Sequence, residues 1–215
     1  MKAVLMSIQP YWVFLIIARK MGWHIDKDKT IEVRKNFPKD QGWNRTVEIY
    51  CSKDKKSFSQ MPKKYQPLMK KFLGKVIGEF VCDRIDDFRC CSVPYKKENN
   101  LGYGRFLDKG VYKVNGWHEG VVFERNDKYI DSMLKNNELK EMCLSAQEIF
   151  DYVGIGKHLY AWHITDLKIY DKPKELSEFE FPKDNIHLSY RKRNQYFKGI
   201  TRPPQSWCYV EELQE

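Results

Sequence analysis

The sequence predicts a protein of the α+β class, mainly β, folded as a small β-barrel with flanking short helices and an inserted subdomain. Three observations predict this fold. Several short segments alternate apolar and polar residues, which is typical of strands that bury one face. These segments follow one another closely with few helical patterns between them, which favours a small barrel over a doubly wound parallel sheet. The chain has 215 residues, 42% of them hydrophobic, which is enough for one domain with a core.

The first two predicted elements are a strand over 3–8 and a helix that begins at Pro10 and ends near Arg19. Proline suits the first turn of a helix, because the N–H that it lacks has no partner there in any case. Leu15 and Ile16 lie at helical spacing within an apolar run, which predicts that this side of the helix faces the core.

The second predicted strand covers 30–35, within the stretch KDKTIEVRK. Because side chains alternate across a strand, Ile31 and Val33 are expected on one face. The opposite face then carries three polar side chains: Thr30, Glu32 and Arg34.

The remaining elements continue the mainly β pattern. Further strands are predicted over 47–51, 75–85 and 162–170, and a turn and a last strand are predicted over 201–211. The lysine-rich segment 53–71 is predicted to be an exposed loop with a short helix near its end.

A late helix and an insertion complete the predicted organisation. Ser145 and Glu148 form a capping-box pattern that opens a short helix, and Gly154 ends it. Residues at about 93–142 change in composition and are rich in Lys, Asn, Gly and Tyr. We therefore expect a single domain over 1–215 with an insertion at about 93–142.

The charge balance suggests an anionic partner. The chain carries 38 Lys and Arg against 29 Asp and Glu, a formal net charge of +9. Such a surplus favours nucleic acid, a phosphate ligand or a membrane surface as partner, and simple solubility charge is the alternative interpretation. The apolar run at 11–18 is too short to cross a membrane. We therefore expect a cytoplasmic protein with no membrane partner.

The six cysteines predict neither disulfides nor a metal site. None of them forms a CxxC pair, and several lie in apolar runs, where cysteine behaves as a small hydrophobic residue. The adjacent Cys90 and Cys91 with a distant histidine are a weak zinc signal. Reduced thiols, no metal and no cofactor are therefore expected.

Three groups of residues are candidates for ligand contact. Lys29 and Arg34 offer a point charge and a planar fork to a phosphate. Glu32 between them either pairs with Arg34 or accepts from a base amino group. A solvated ladder of charges on a strand edge is the alternative interpretation of this group. His163, at a strand end, is expected to be a hydrogen-bonded structural residue.

The second and third groups lie near the end of the chain. Arg202, Ser206 and Trp207 surround a rigid Pro-Pro turn, so the tryptophan can stack a base while the arginine contacts phosphate. A core tryptophan that plugs the barrel end is an equally good interpretation. Arg191 and Arg193 lie in YRKRNQYFK, where basic and aromatic residues alternate as on nucleic-acid surfaces, or as in a solvated basic loop.

Five motifs, in this order along the chain, resemble the ASCH-domain family: SIQPYW, KTIEVR, GKVIGEF, WHITDLKIYDKPKEL and RPPQSWCYV. The resemblance covers about 1–92 and 143–213, and the chain looks most like the small ASCH proteins of Firmicutes and their phages. That family has a PUA-like β-barrel, so the resemblance implies this fold here.

The resemblance also implies a function and a site. It implies a cleft that binds RNA or a nucleotide, lined by the KTIEVR strand and hence by Lys29, Thr30, Glu32 and Arg34. The SIQPYW stretch borders the cleft in the family, which places Gln9 beside a base edge. A binding module for RNA or a nucleotide is the favoured function.

Two alternatives remain. One bacterial branch of the family hydrolyses N-acetylcytidine, and its catalytic lysine and threonine fall on Lys29 and Glu32, so the lysine is kept and the hydroxyl is lost. If the chain is an enzyme, Lys29 and Glu32 are its expected catalytic residues and its class is a nucleoside amidohydrolase; a ribonuclease is less favoured. The other alternative is a phage or host protein-interaction module that docks a protein partner through 93–142.

Overall fold

The structure is a computed structural model that describes residues 2–36, 45–97, 100–113, 137–154, 156–182 and 199–213. The strands, in chain order, are β1 (Lys2–Ile8), β2 (Ile31–Arg34), β3 (Arg45–Cys51), β4 (Val76–Cys82), β5 (Arg84–Lys97), β6 (Asn100–Lys113), β7 (His158–His163), β8 (Thr165–Lys174), β9 (Phe179–Glu180) and β10 (Trp207–Glu212). The helices are α1 (Pro10–Ile17), α2 (Lys55–Ser59), α3 (Gln66–Lys70), α4 (Asn137–Met142) and α5 (Ala146–Val153).

The chain divides into two compact units. Unit 1 consists of Met1–Ile25, Arg45–Val81 and Asp166–Glu215, and unit 2 consists of Asp26–Asn44 and Cys82–Thr165. The expectation of a single domain with an insertion stays a prediction. Of that insertion, β5, β6 and α4 include parts at its two ends, and residues 114–136 lie outside the described ranges.

Unit 1 is built on a six-stranded sheet with the order β8-β4-β3-β1-β10-β9. Its central strand β1 pairs in parallel with β3 and antiparallel with β10. Leu5, Val76, Phe179 and Val210 pack together in a buried cluster of this unit. Leu5, Val76 and Val210 are apolar positions of predicted strands, whereas Phe179 lies in a strand that the sequence did not predict.

Helix α1 of unit 1 begins at Pro10, as predicted, and ends two residues before Arg19. Leu15 and Ile16 are buried as expected, but so are Val13, Phe14 and Ile17. The run PYWVFLII offers almost no polar residue, so the helix buries nearly its whole circumference rather than one side.

Unit 2 is built on a four-stranded antiparallel sheet with the order β2-β7-β5-β6. Ile31, Val33, Phe88, Leu159 and Ala161 form one buried face of this sheet. That face packs against apolar residues of α4 and α5, namely Leu139, Met142, Ile149 and Val153. Since Ile31 and Val33 point into this core, the predicted alternation along β2 is confirmed.

The start of α5 confirms the predicted capping box. The Ser145 backbone N–H donates to Oε2 of Glu148 at 2.8 Å, and the Glu148 N–H donates to the Ser145 hydroxyl at 3.3 Å. The Ser145 hydroxyl also donates to Oε2 of Glu148 at 2.8 Å, and the two bonds that this carboxylate accepts from Ser145 lower its pKa. Gly154 follows the helix with φ +89°, a left-handed conformation that glycine adopts without a steric penalty.

The mainly β α+β class is confirmed, and three predicted elements differ in detail. The described strands form two open sheets rather than one closed barrel. The predicted strand 162–170 is two strands, β7 and β8, which meet at Ile164. The predicted strand 75–85 likewise divides at Asp83 into β4 and the start of β5. Segment 53–71 holds two short helices instead of one.

Within the described ranges, no helix is long and apolar enough to span a membrane.

Candidate functional site

The stretch KDKTIEVRK forms a buried cluster of charges at the β2 edge of unit 2. Oε1 of Glu32 accepts a hydrogen bond from Nη1 of Arg34, and its Oε2 lies 3.5 Å from Nζ of Lys29. The Lys29 ammonium also donates to the Met142 carbonyl at 2.7 Å. Lys29 and Glu32 are each 2% exposed, and Arg34 is 9% exposed. The side chains are therefore more deeply buried than so polar a sequence suggests.

Backbone hydrogen bonds hold this edge in place. The Thr30 N–H donates to the Glu141 carbonyl at 3.0 Å, and the Thr30 carbonyl accepts from the Ile164 N–H at 2.9 Å. Thr30 thus ties the start of β2 to α4 and to the end of β7. This brings Lys29 next to the last turn of α4, where the Met142 carbonyl accepts its bond.

Burial shapes the electrostatics of the cluster. Removal from water lowers the pKa of Lys29, while the nearby Glu32 carboxylate acts in the opposite direction and raises it. The Arg34 guanidinium lowers this pKa further. The Glu32 carboxylate thus pairs with both cations, Lys29 and Arg34.

An exposed aromatic ring lies beside this cluster. Tyr152, on α5, is 42% exposed although it is a large aromatic residue. Nζ of Lys35 lies 4.4 Å from the centre of its ring. Burial raises the pKa of Tyr152, while Arg34 lowers it and Glu32 raises it, so the phenol is close to both charges. No sequence motif indicated Tyr152 as a site residue. The one available signal was its place on the polar side of a capped helix.

Two histidine–aspartate pairs join β7 to β5. Nδ1 of His158 lies 2.7 Å from Oδ1 of Asp87, and Nε2 of His163 lies 3.0 Å from Oδ2 of Asp86. Because Asp86 and Asp87 are adjacent on one strand, the two pairs lie on opposite faces of the sheet. His163 has the hydrogen-bonded structural role expected of it.

The two pairs differ in exposure. The His158 side chain is 43% exposed, whereas that of His163 is 19% exposed. The His158 ring also stacks on Tyr160, with ring centres 6.1 Å apart and planes 16° from parallel. No sequence motif indicated His158 or Asp87; the adjacent carboxylates of Asp86 and Asp87, directly after the predicted strand 75–85, were the available signal.

The other predicted site residues lie in unit 1 or outside the described residues. Gln9 and Arg202 are exposed, and Ser206 and Trp207 are half-buried. The Trp207 ring meets the Tyr209 ring edge-on, with centres 5.6 Å apart. Two predicted residues are outside the described ranges: Arg191 and Arg193. The structure thus brings Lys29, Glu32 and Arg34 together in unit 2, and their role as a ligand site stays a prediction.

Within the described ranges, no group of three or more His, Cys, Asp or Glu residues could hold a metal ion. Five cysteines are free thiols: Cys51, Cys82, Cys90, Cys143 and Cys208.

Comparison with known proteins finds similarity only among solved structures. No protein-family model and no curated protein matches the sequence. The crystal structure of an ASCH protein from Zymomonas mobilis has a TM-score of 0.42 and 16% identity, covering 99% of this chain and 88% of that chain. A tyrosine-to-phenylalanine mutant of it has a TM-score of 0.46 and 15% identity, covering 100% and 92%. A serine-to-alanine mutant has a TM-score of 0.46 and 14% identity, covering 99% and 89%. ASCH is also the family that the sequence motifs resemble.

Proposed function

We propose that this chain binds a nucleotide, or the nucleotides of an RNA, at the β2 edge of unit 2. The observation that carries the proposal is the exposed Tyr152 ring beside the Glu32–Arg34 pair, with the Lys35 ammonium 4.4 Å from the ring centre. A stacking surface next to two cations matches the two parts of a nucleotide, a flat base and an anionic phosphate.

Each residue has a distinct part in this proposal. Tyr152 stacks the base, and the guanidinium of Arg34 binds a phosphate oxygen. Lys35 leaves the ring when the base arrives and adds a second positive charge. Glu32 is too deeply buried to meet a base directly, so its part is to orient Arg34 through their hydrogen bond.

The face of the sheet opposite α5 offers contacts for a second nucleotide. Arg34 lies opposite Tyr160 in the β2–β7 register, so both side chains are on one face. The His158 ring stacks on Tyr160, and the exposed Arg89 lies opposite His158 in the β5–β7 register. An alternation of rings and cations along one face supports contact with successive nucleotides.

The resemblance of KTIEVR and four other motifs to the ASCH family supports the same conclusion. That resemblance implies a cleft for RNA or a nucleotide along this strand. The surplus of positive charge, +9 for the whole chain, also favours an anionic ligand.

A fluorescence-anisotropy titration with labelled RNA tests the proposal. We expect Tyr152→Ala to weaken binding at least about fivefold, because one stacked base contributes about 1 kcal/mol or more. Tyr152→Phe is the matched control, since it keeps the ring, and we expect its affinity to be close to that of wild type. Equal affinity of the alanine variant and wild type would exclude Tyr152 as a stacking surface, and no binding by wild type at low salt would reject the function.

A second candidate is the amidohydrolase implied by one branch of the ASCH family. The observation that favours it is Lys29, whose pKa burial lowers, because a lysine acts as a base only when it loses its proton near neutral pH. Glu32 at the position of the threonine, and the nearly complete burial of Lys29, weigh against it.

Turnover of N-acetylcytidine separates the two candidates. An enzyme releases cytidine and acetate, and Lys29→Ala abolishes this release while the variant still binds RNA. The control is Lys140→Ala, which removes an exposed lysine of unit 2 that has no part in either candidate site. Absence of turnover by wild type would reject the enzyme and leave the binding function standing.

A further inference from the structure

Three pairs of adjacent lysines occur close together in unit 1. Residues 55–71, which we call the lysine ribbon, span α2, α3 and the turn between them. The ribbon contains six lysines and no aspartate or glutamate. All six are exposed: Lys55, Lys56, Lys63, Lys64, Lys70 and Lys71. The ribbon therefore presents a surface of a single sign of charge.

The opposite side of the ribbon is regularly buried. Ser57, Met61, Tyr65 and Met69 recur at intervals of four residues, and all four are buried. Ser57 and Met69 lie on the two helices, and Met61 and Tyr65 lie in the turn between them, so each part of the ribbon is buried on one side. The six lysines are left facing solvent.

Hydrogen bonds fix the ribbon in position. The Ser57 hydroxyl accepts from the Tyr11 N–H at 3.0 Å, and the Ser57 N–H donates to Oδ1 of Asp54 at 2.7 Å. The Tyr65 hydroxyl donates to the His24 carbonyl at 3.2 Å. The backbone that carries the lysines is thus held before any ligand arrives, which lowers the entropic cost of binding.

The six lysines lack the counter-charges that other lysines of unit 1 have. Lys75, Lys168 and Lys174 each pair with a glutamate. In the described part of the chain, no carboxylate forms an ion pair with a lysine of the ribbon. Like charges next to one another destabilise a fold, and a surface adapted for solubility alone mixes both signs. The uncompensated charge therefore indicates an anionic partner.

We propose that the lysine ribbon binds the phosphate backbone of a single-stranded nucleic acid, as a second contact surface independent of base identity. The ribbon supplies affinity for the polymer, whereas Tyr152 at the β2 edge of unit 2 contacts a base. The inference therefore rests on the proposed function for its choice of ligand. A membrane surface is less well matched, because interfacial helices bury a broad apolar face. The ribbon exposes only Leu68 among its large hydrophobic residues, at 46%.

The test is the salt dependence of RNA binding, measured with a long labelled mixed-sequence RNA between about 50 and 200 mM salt. Each phosphate contact contributes about 0.7 to the slope of log affinity against log salt for a single strand. We expect the variant with all six ribbon lysines changed to glutamine to lose about 4 from this slope. Each double variant, such as Lys63→Gln/Lys64→Gln, is expected to lose about a third of that amount.

The matched control is Lys20→Gln/Lys172→Gln, which removes two exposed lysines of unit 1 that lie outside the ribbon. We expect its slope to equal that of wild type. Circular dichroism melting of each variant checks that the fold is intact. Equal slopes for the six-lysine variant and wild type would overturn the inference, as would an equal reduction in the control.

The outcomes also separate this inference from the proposed function. If Tyr152→Ala weakens RNA binding and the ribbon variant does not, the proposed function holds and the ribbon inference is wrong. If the ribbon variant loses slope and Tyr152→Ala does not change affinity, the ribbon inference holds and the base-contact site is wrong. If the protein binds no RNA but sediments with vesicles rich in phosphatidylserine, and does so only with the ribbon lysines intact, the partner of the ribbon is a membrane surface. That result would overturn the inference.

Discussion

Glu32 and Arg34 form a hydrogen-bonded ion pair on the same face of β2, two residues apart and almost wholly removed from solvent. Spacing of two residues on a strand brings the side chains to one face, so the pair is a direct product of the local sequence. The same carboxylate lies 3.5 Å from the Lys29 ammonium. Glu32 therefore holds both cations of the cluster.

Replacement of Glu32 by glutamine is expected to destabilise the protein. It removes the carboxylate that pairs with two buried cations, and removal of one partner from a buried ion pair costs about 3 kcal/mol or more. Urea unfolding of Glu32→Gln against wild type measures this loss. Lys168→Gln, which breaks the exposed pair with Glu79, is the control and should change stability little. A loss in Glu32→Gln no larger than in that control would show that the cluster is solvated.

The sequence predicted the strand that carries this pair but not its burial. Alternation placed Ile31 and Val33 on one face, and the structure confirms that face as core. The polar face was expected to line a cleft. Glu32 is instead buried, because it pairs with Lys29 and Arg34, both within three residues of it. Contacts such as Lys29 to the Met142 carbonyl join residues 113 apart in sequence, so no local pattern reveals them.

The histidine pairs were predicted incompletely for the same reason. The motif WHITD directed attention to His163, whose partner Asp86 lies on another strand. His158 lies five residues before His163 and pairs with Asp87 in the same way, but it belongs to no recognisable motif. His158 and His163 differ in exposure because they lie on opposite faces of the sheet. What covers each face depends on the tertiary structure, which no local sequence pattern reveals.

A second prediction concerns the pH dependence of stability. Burial raises the pKa of Glu48 to about 7, well above its ordinary value of 4.5. The folded state therefore binds this proton more tightly than the unfolded state, so its contribution to stability is present below about pH 4.5 and is lost as pH rises through about 7. Its partners include the Tyr170 hydroxyl, which donates at 2.9 Å, and the charges of Glu79, Lys174 and Glu212.

Glu48→Gln, which cannot ionise, is expected to remove this loss. The shift corresponds to an upper limit of about 3 kcal/mol between acidic and mildly alkaline pH. Urea unfolding at several pH values measures it, with the exposed Asp171→Asn as control for a change of one charge. If wild type and Glu48→Gln show the same pH dependence, Glu48 ionises in the folded protein as it does in water.

A third prediction concerns the capping box of α5. Ser145→Ala removes the hydroxyl that accepts from the Glu148 N–H, and loss of such a cap costs about 1 kcal/mol. Because α5 carries Tyr152, hydrogen exchange should quicken at the start of this helix and RNA affinity should fall modestly. Ser59→Ala, at the exposed end of α2, is the control. Unchanged exchange in α5 would mean that packing alone holds the helix.

The last prediction separates the two histidines by their position on the sheet. His158 is exposed and stacked on Tyr160, so His158→Ala should weaken RNA binding at least about fivefold. It also removes a bond to Asp87, but Asp87 is less deeply buried than Asp86, so stability should fall less than in His163→Ala. His163 holds the fully buried Asp86, which Arg84 also contacts at 2.6 and 2.7 Å. His163→Ala should therefore lower the free energy of unfolding by about 1–3 kcal/mol, since it removes a partner of a buried charged group, and leave RNA affinity unchanged in the folded protein. Anisotropy titration and urea unfolding of both variants measure the two effects. If both variants lose affinity in proportion to lost stability, His158 acts only through the fold. The face of the sheet that carries Tyr160, His158 and Arg89 is then not a contact surface for RNA.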